Sequence, residues 1–412
     1  MAYTGGTNGY AAGAESNTSA VDYALETTYN TPPTGAFQAL RYTDVSLTVN
    51  ETETQPDEIN DIPEMAQSVL TGRTTQGSIS GILSVGTFED LLAGVMSADW
   101  VSFTSTSSGN ASAGDFIQWI AADNVGGHQG YKFVAFSNPA FLASLPKTGL
   151  VVLNDPGYGI ENVVTPYVQF SDSKKGIYVP DTVLSSVTSD KVASAGATAV
   201  FSGITNGALG KTFTFRQKMA DAWQIFSGTM VNQVEITLQK GQAPTISIDL
   251  IGSDMTTSDT DIAASVTPRT TTPLIDTVEG FQGCSIFGNA PAGCIQSATI
   301  TLSRDGSGQD TGMGHTGACG LRFGSFKATM EITYFFKDYQ QFTDWKNGKT
   351  GPVSIGVQGS DGNGYQFTVL NGVIRNPKTP ISGKNTTVVA TVSVTANPTP
   401  VGGTFAIART SS

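Results

Sequence analysis

Charged side chains are scarce in this chain of 412 residues, because Asp, Glu, Lys and Arg together make up 14% of it, against roughly 25% in typical soluble domains. Basic residues are the rarer kind: 22 Lys and Arg stand against 34 Asp and Glu, which leaves a formal net charge of −12. Such a chain has no general electrostatic attraction for nucleic acid or for anionic membranes. This argues against a nucleic-acid-binding protein but does not exclude DNA as a passing neighbour.

Cysteine and long apolar runs are also scarce. The only cysteines are Cys284, Cys294 and Cys319. No apolar run approaches the roughly 20 residues that span a bilayer, and the first 30 residues lack the basic start and apolar core of a secretory signal. We therefore expect a reducing compartment, free thiols and no membrane contact. A Cys284–Cys294 disulfide is the alternative, because the Gly- and Pro-containing stretch between them is able to fold back.

Residues for catalysis or metal binding are few. The two histidines, His128 and His315, are expected in loops, and no serine lies in a G-x-S-x-G nucleophile elbow. Cys284, Cys294 and Cys319 with His315 lack the spacing of a zinc finger. The Gly-rich stretches do not link a strand to a helix as a phosphate-binding loop does. We expect no enzyme activity, no cofactor and no metal.

What the chain does have is glycine, at 47 residues, and a strict alternation of apolar and polar residues in several segments. Alternation with a period of two indicates strands that bury one face of an antiparallel sheet or sandwich. Abundant Gly, Ser and Thr are typical of strands joined by many tight turns. The alternating segments are Val45–Val49, Val234–Leu238, Ile246–Leu250, Phe326–Ile332 and Ala390–Val394.

Helical patterns are rare. In Gly86–Met96, Thr87 is placed to cap a helix whose apolar residues form one stripe. In Lys337–Gly348, aromatic residues recur every three positions, and the final glycine is able to end the helix. These aromatic residues are Tyr339, Phe342 and Trp345. A shorter helix is expected at about Pro139–Leu145.

An internal repeat is visible in the order strand, long loop, Gly-led strand, helix and hairpin. The second copy is offset from the first by 247 residues at Gly77 and Gly324, but by only 144 residues at Gly228 and Gly372. The difference of 103 residues predicts an insertion in the first copy, at roughly Ser102–Asn206. The alternative is that any two antiparallel β-domains share such hairpins.

Several segments resemble the major tail tube proteins of long-tailed, siphophage-type bacteriophages. Tyr23–Thr48 and Thr74–Met96 are similar to the start of that family, and Ser325–Lys349, Val353–Pro377 and Thr386–Thr410 are similar to its closing half. The resemblance implies a β-sandwich flanked by a helix. It also implies that neighbouring subunits join their sheets into a β-barrel around a lumen, and that the resulting rings stack into a tube.

The expected fold class is mainly β: a duplicated tail-tube β-sandwich, each copy with a flanking helix, plus a small inserted β-domain. Rings of this family usually contain six folds, so a chain with two folds predicts a homotrimeric, pseudo-hexameric ring, with a homohexamer as the alternative. The domains are an N-terminal arm at 1–36, the two parts of the first tube fold at 37–101 and 207–277 (with a linker), the insertion at 102–206, and the second tube fold with a C-terminal arm at 278–412.

The long polar loop Glu51–Thr74 is predicted to order only against the next ring, because a loop of that length is uncommon without a role. The alternative is a flexible, solvated loop. Its acidic residues are Glu51, Glu53, Asp57, Glu58, Asp61 and Glu64. Ser303–Arg322 is the corresponding connector of the second copy.

The polar sides of the strands are candidates for the lumen, although the register that decides which of them face it stays open. The candidates are Asp44, Ser46, Thr48, Glu235, Thr237, Asp249, Thr299, Thr301, Lys327 and Glu331. An acidic lumen would let double-stranded DNA slide through without specific binding.

The expected function is that of a structural virion protein, whose tube serves as the conduit for DNA ejection. The expected partners are copies of itself, the tape measure protein, and the tail terminator and tip proteins. The expected location is the virion tail, and the host cytoplasm during assembly. The alternatives are another virion component, such as a baseplate or decoration protein, or a carbohydrate-binding surface module.

Overall fold

The computed structural model describes residues 15–57, 59, 64–112, 114–123, 125–219, 222–381 and 383–410. The prediction of a mainly β protein is confirmed, because 52% of the chain is strand and 8% is helix, with two α-helices. The sheet does not close on itself within the described residues.

The first part of the chain contains five strands and a helix. They are β1 (Ala20–Leu25), β2 (Ala36–Ala39), β3 (Asp44–Val45), β4 (Thr48–Thr54), β5 (Val69–Ile82) and α1 (Glu89–Met96). Helix α1 starts later than predicted. The predicted capping role of Thr87 is wrong, because Phe88 occupies the N-cap position and the Thr87 hydroxyl lies 2.8 Å from that of Ser84 in a buried contact.

The next eight strands lie within the predicted insertion to within one residue. They are β6 (Val101–Thr106), β7 (Ile117–Trp119), β8 (Tyr131–Phe136), β9 (Thr148–Asp155), β10 (Ile160–Val168), β11 (Gly176–Pro180), β12 (Lys191–Val192) and β13 (Thr198–Thr205). They enclose a separate core that includes Trp119, Val151 and Phe201. The helix predicted at Pro139–Leu145 is only a 3-10 turn at Ala140–Ala143, because prolines at both ends of the segment limit helical continuation.

The remaining strands complete both copies. They are β14 (Phe213–Met219), β15 (Ala222–Gln239), β16 (Thr245–Gly252), β17 (Asp254–Ser258), β18 (Ser265–Thr267), β19 (Ile275–Ile286), β20 (Ile295–Asp305), β21 (Gly308–Asp310), β22 (Gly320–Arg322) and β23 (Ser325–Phe335), then α2 (Gln340–Lys346), β24 (Thr350–Gly359), β25 (Gly364–Lys378), β26 (Val389–Ala396) and β27 (Phe405–Thr410). The DGNG sequence from Asp361 joins β24 to β25, as a hairpin turn signal predicts.

Eight of these strands form one continuous antiparallel sheet in the order β4–β5–β16–β15–β20–β23–β26–β25. Its first four strands and its last four have the same connectivity, with α1 after β5 and α2 after β23. In both halves the long strand, β15 or β25, pairs through its first part with the preceding strand and with the strand that follows the hairpin. The predicted repeat is therefore present in the strand pairing, although the register makes Met330, and not the predicted Gly324, the equivalent of Gly77.

The two halves share one hydrophobic core. The alternating residues of the predicted strands supply it, among them Val234, Ile236, Ile300, Met330 and Val392, each with no exposed surface. The inserted strands are joined to this body through β13, whose last residues pair with β27. The polar residues of the same strands are thereby left on the opposite face of the sheet.

Candidate lumen face and connector hairpins

The polar face of the eight-stranded sheet brings together all ten lumen candidates. The register carries one row across the middle of the sheet, in which Asp44 lies opposite Ser80, Ser80 opposite Ser247, and Ser247 opposite Glu235. Glu235 in turn lies opposite Thr301 of the second half. Parallel rows contain the other candidates, with Thr237 opposite Thr299 and Thr299 opposite Glu331. Which face lines a lumen is not decided by a single chain.

Hydroxyl groups hold part of this face together. The hydroxyl oxygens of Ser46 and Ser78 are 3.0 Å apart, and the Ser80 hydroxyl donates to that of Ser247 at 3.3 Å. The Thr48 hydroxyl donates to the backbone carbonyl of Gln76 at 3.2 Å. The face thus presents neutral polar groups that are already paired with each other, which leaves few strong binding groups for a passing polyanion.

Charges on this face differ between its two ends. The candidates include four carboxylates, and burial raises the pKa of one of them, Asp249. Lys327 is their only cation, but sequence reasoning missed Arg375 and Lys378, which lie opposite Ser393 and Thr391 on the same face. The signal that could have identified Arg375 is the strand pattern of β25, which continues past Val373. Asp305 lies opposite Ser325 on the same face, so three cations stand against five carboxylates and the charge of this face is mixed.

Both ends of the sheet are open edges. Strands β3 and β4 pair only with β5, and their other side has no strand partner in the described part of the chain. At the opposite end, residues 374–378 of β25 pair with β26 alone. The junction β15–β20 in the middle joins one half of the sheet to the other. Unpaired edges favour association with further strands.

The first connector is shorter than the predicted loop. Glu51 and Glu53 lie in β4 and not in a loop, because β-branched residues extend the hairpin to Thr54 and Val69. Glu51 forms an ion pair with Arg73 at 2.9 Å. Asp57 and Glu64 are exposed, whereas Glu58 and Asp61 lie outside the described residues.

The second connector, Ser303–Arg322, folds back onto the first half of the same chain. The Gln309 amide donates to the carbonyls of Thr75 at 2.8 Å and Gly252 at 2.6 Å. The Ala318 carbonyl accepts from Ser253 at 2.7 Å and from Tyr29 at 3.0 Å. This connector is therefore packed within one chain, and nothing in it requires a second ring to become ordered.

Chemically reactive groups are dispersed. His128 lies in a loop, stacked on Phe170 with ring centroids 3.6 Å apart, and its Nε2 is 3.6 Å from Asp172. Among the described residues, no group of three or more His, Cys, Asp or Glu side chains is placed to hold a metal ion. All three cysteines are free thiols, with Cys284 buried and the other two exposed.

No helix in the described ranges is both long and apolar enough to cross a bilayer. The described part of the chain is thus a mainly β protein whose largest sheet has one core face, one polar face and two open edges. The profile of the phage tail tube protein family matches residues 16–396, and the chain belongs to that family. A search among curated proteins gave no match. Proteins of this family are structural parts of the virion tail and not enzymes.

Proposed function

We propose that this protein is the major tail tube subunit of a siphophage-type tail, which polymerises into stacked rings that form the conduit for DNA ejection. The β15–β20 junction carries the proposal, because it already joins two equivalent half-sheets edge to edge within one chain. The same pairing between chains would join the open end of β25 to β3–β4 of a neighbour. A head-to-tail contact of this kind closes a ring when its rotation closes.

The charges at the two open edges support this pairing. The β3–β4 edge carries Asp44, Glu51 and Glu53, whereas the β25 edge carries Arg375 and Lys378. Opposite charges at the two edges favour head-to-tail association, and like charges disfavour the pairing of one edge with its own copy. Three chains with two half-sheets each give a pseudo-hexameric ring, and the polar face then lines the bore.

Neutral hydroxyls and mixed charges suit a bore through which DNA moves without adhering, because counterion release at clustered cations is what makes DNA binding strong. Other partners would be the tape measure protein inside the tube and the tail terminator and tip proteins at its ends. Assembly would take place in the host cytoplasm, and the mature location is the virion tail.

Negative-stain electron microscopy of the purified protein tests the proposal, and hollow tubes or rings are the expected result. Mass photometry then separates a ring of three 42.9 kDa chains from the alternative homohexamer. A protein that stays monomeric at high concentration, without tubes, contradicts the proposal.

The connector is tested separately by deleting residues 55–68 and closing the hairpin after Thr54 with a short turn. Because β4 and β5 stay intact, we expect rings that no longer stack. Deletion of residues 383–387, which are exposed and lie outside the strands, is the matched control. A 55–68 deletion variant that still forms tubes contradicts a stacking role for this connector.

A further inference from the structure

Helix α2 turns its polar side inwards. Its buried residues are Gln341 and Asp344, and the Tyr334 hydroxyl donates to Gln341 at 3.1 Å. Trp345 of the helix is 46% exposed and Tyr339 at its N-cap is 67% exposed, whereas Phe342 is half-buried against Phe336. An amphipathic helix of a monomer normally buries its apolar stripe, so this exposed face is a candidate docking surface.

Helix α1 shows how the equivalent helix is covered. All its buried residues are apolar or glycine, and it packs against β15 and also across the junction against β20. Arg304 of β20 donates through Nε to the Val95 carbonyl at 2.9 Å and also contacts Ser97, so the second half of the chain binds the C-terminus of α1. Helix α2 packs mainly on β25, and within the described residues no strand makes as extensive a contact with it in the place of β20.

The strand register identifies what would occupy that place. Both long strands have a bulge opposite the preceding strand, between Phe213 and Phe215 in one half and between Gly351 and Val353 in the other. We aligned the two halves on these bulges and followed the strand pairings from each long strand to the far edge of its half. In this alignment β3–β4 is the equivalent of β20, and Glu51 lies at the position of Arg304.

Burial along these two strands agrees with the alignment. Ala298, Ile300 and Leu302 of β20 are at most 1% exposed under α1. Their equivalents Val45, Leu47 and Val49 are only half-buried, although they have the same alternation. A half-buried apolar row and the exposed side chains of Tyr339 and Trp345 therefore lie at opposite ends of one sheet.

We propose that α2 of one chain docks, through Tyr339 and Trp345, on the β3–β4 row of the next chain, as α1 docks on β20 within the chain. The charges fit this occupant. Helix α1 has no basic residue in its last turn and receives Arg304, whereas α2 ends at Lys346, with Lys349 three residues further on. This end of α2 would receive Glu51, which within its own chain is paired with Arg73. This inference rests on the proposed ring and assigns its second contact, beside the strand pairing.

Charge reversal tests the contact. Glu51→Lys, and separately Lys346→Glu with Lys349→Glu, should each raise the half-assembly concentration in mass photometry about tenfold, and the combined variant should return most of the way to wild type. Glu161→Lys, an exposed residue of the insertion, is the matched control. Thermal melting of the monomers verifies that each variant folds. A combined variant no better than the single reversals contradicts the docking.

Crosslinking separates this proposal from the ring itself. In a Cys294→Ser, Cys319→Ser background, Glu51→Cys with Lys346→Cys should give dimers and trimers on a denaturing gel with a short bis-maleimide, whereas Glu161→Cys with Lys346→Cys should not. Rings without the crosslink refute the α2 contact and leave the proposed function standing. Absence of rings in the wild-type protein refutes the proposed function as well.

Discussion

A buried ion pair fastens the N-terminal strand to the sheet, and its removal has a calculable cost. Arg216 has no exposed surface and donates to both carboxylate oxygens of Asp22, through Nε at 2.6 Å and Nη2 at 2.8 Å. Its third contact is the half-exposed Asp261, and its guanidinium carbon lies 4.1 Å from the ring centre of Phe37 and 4.2 Å from that of Trp223. Burial opposes the charge, but the hydrogen bonds that Arg216 donates to the two carboxylates raise its pKa.

Asp22→Asn would leave this guanidinium buried with only the half-exposed Asp261 as a counter-charge. Breaking a buried pair in this way costs about 3–5 kcal/mol, and the remaining carboxylate puts the value near the lower end, at about 3 kcal/mol. An unfolding entropy of about 2.1 cal/mol/K per residue gives roughly 0.9 kcal/mol/K for 412 residues. The melting temperature should therefore fall by about 3–4 °C if the chain unfolds as one unit.

Differential scanning calorimetry of four proteins measures the effect: wild type, Asp22→Asn, Arg216→Met and the double variant. The double variant should recover much of the loss, because no unpaired buried charge remains. Asp259→Asn is the control, since this exposed residue belongs to the same segment as Asp261 and makes no contact with Arg216. A melting temperature for Asp22→Asn within 1 °C of wild type would refute the reasoning.

Three further predictions concern other parts of the chain. A hydrogen bond from the Asn363 side chain lowers the pKa of Asp361 below 3.8. The stability that the ionised carboxylate adds is therefore present above that pH and is lost as the pH falls through the lower pKa of the folded state. The difference in melting temperature between wild type and Asp361→Ala should shrink from pH 7 to ~pH 2.5. Because burial raises the pKa of Cys284 to about 12, a thiol reagent should modify two cysteines in the folded protein and the third only after denaturation, and three fast thiols would contradict the burial. Arg304→Ala leaves the carbonyl at the end of α1 unpaired, so hydrogen exchange in the last turn of α1 should accelerate about 5- to 100-fold, with unchanged exchange as the contrary result.

The alternation of apolar and polar residues predicted burial correctly where burial depends on a single strand. Val234, Ile236 and Leu238 alternate strictly, and each is buried in β15 because a period of two places them on one face. The lumen candidates follow from the same alternation, since the residues between the core positions must lie on the opposite face. The repeat was visible for a similar reason, as equal orders of elements leave equal sequence patterns.

Contacts between distant residues left no such pattern. Asp22 and Arg216 are 194 positions apart, and neither neighbourhood differs from that of an ordinary surface charge. The aromatic spacing in α2 predicted a helix correctly, but it indicated only that Tyr339 and Trp345 share a face, not whether this chain covers that face. Lys378 was missed because Pro377 and the strand bulge after Arg375 interrupt the alternation.

The β15–β20 joint forms within one chain, and this has a consequence for how fast rings form. In a ring of three chains, half of the six sheet-to-sheet joints are made during folding, at an effective concentration set by the connecting chain and not by the amount of protein in solution. Only three joints between chains are then left to form in a ring. A ring of six single-fold subunits would need twice as many, so the duplicated chain should nucleate rings at a lower concentration.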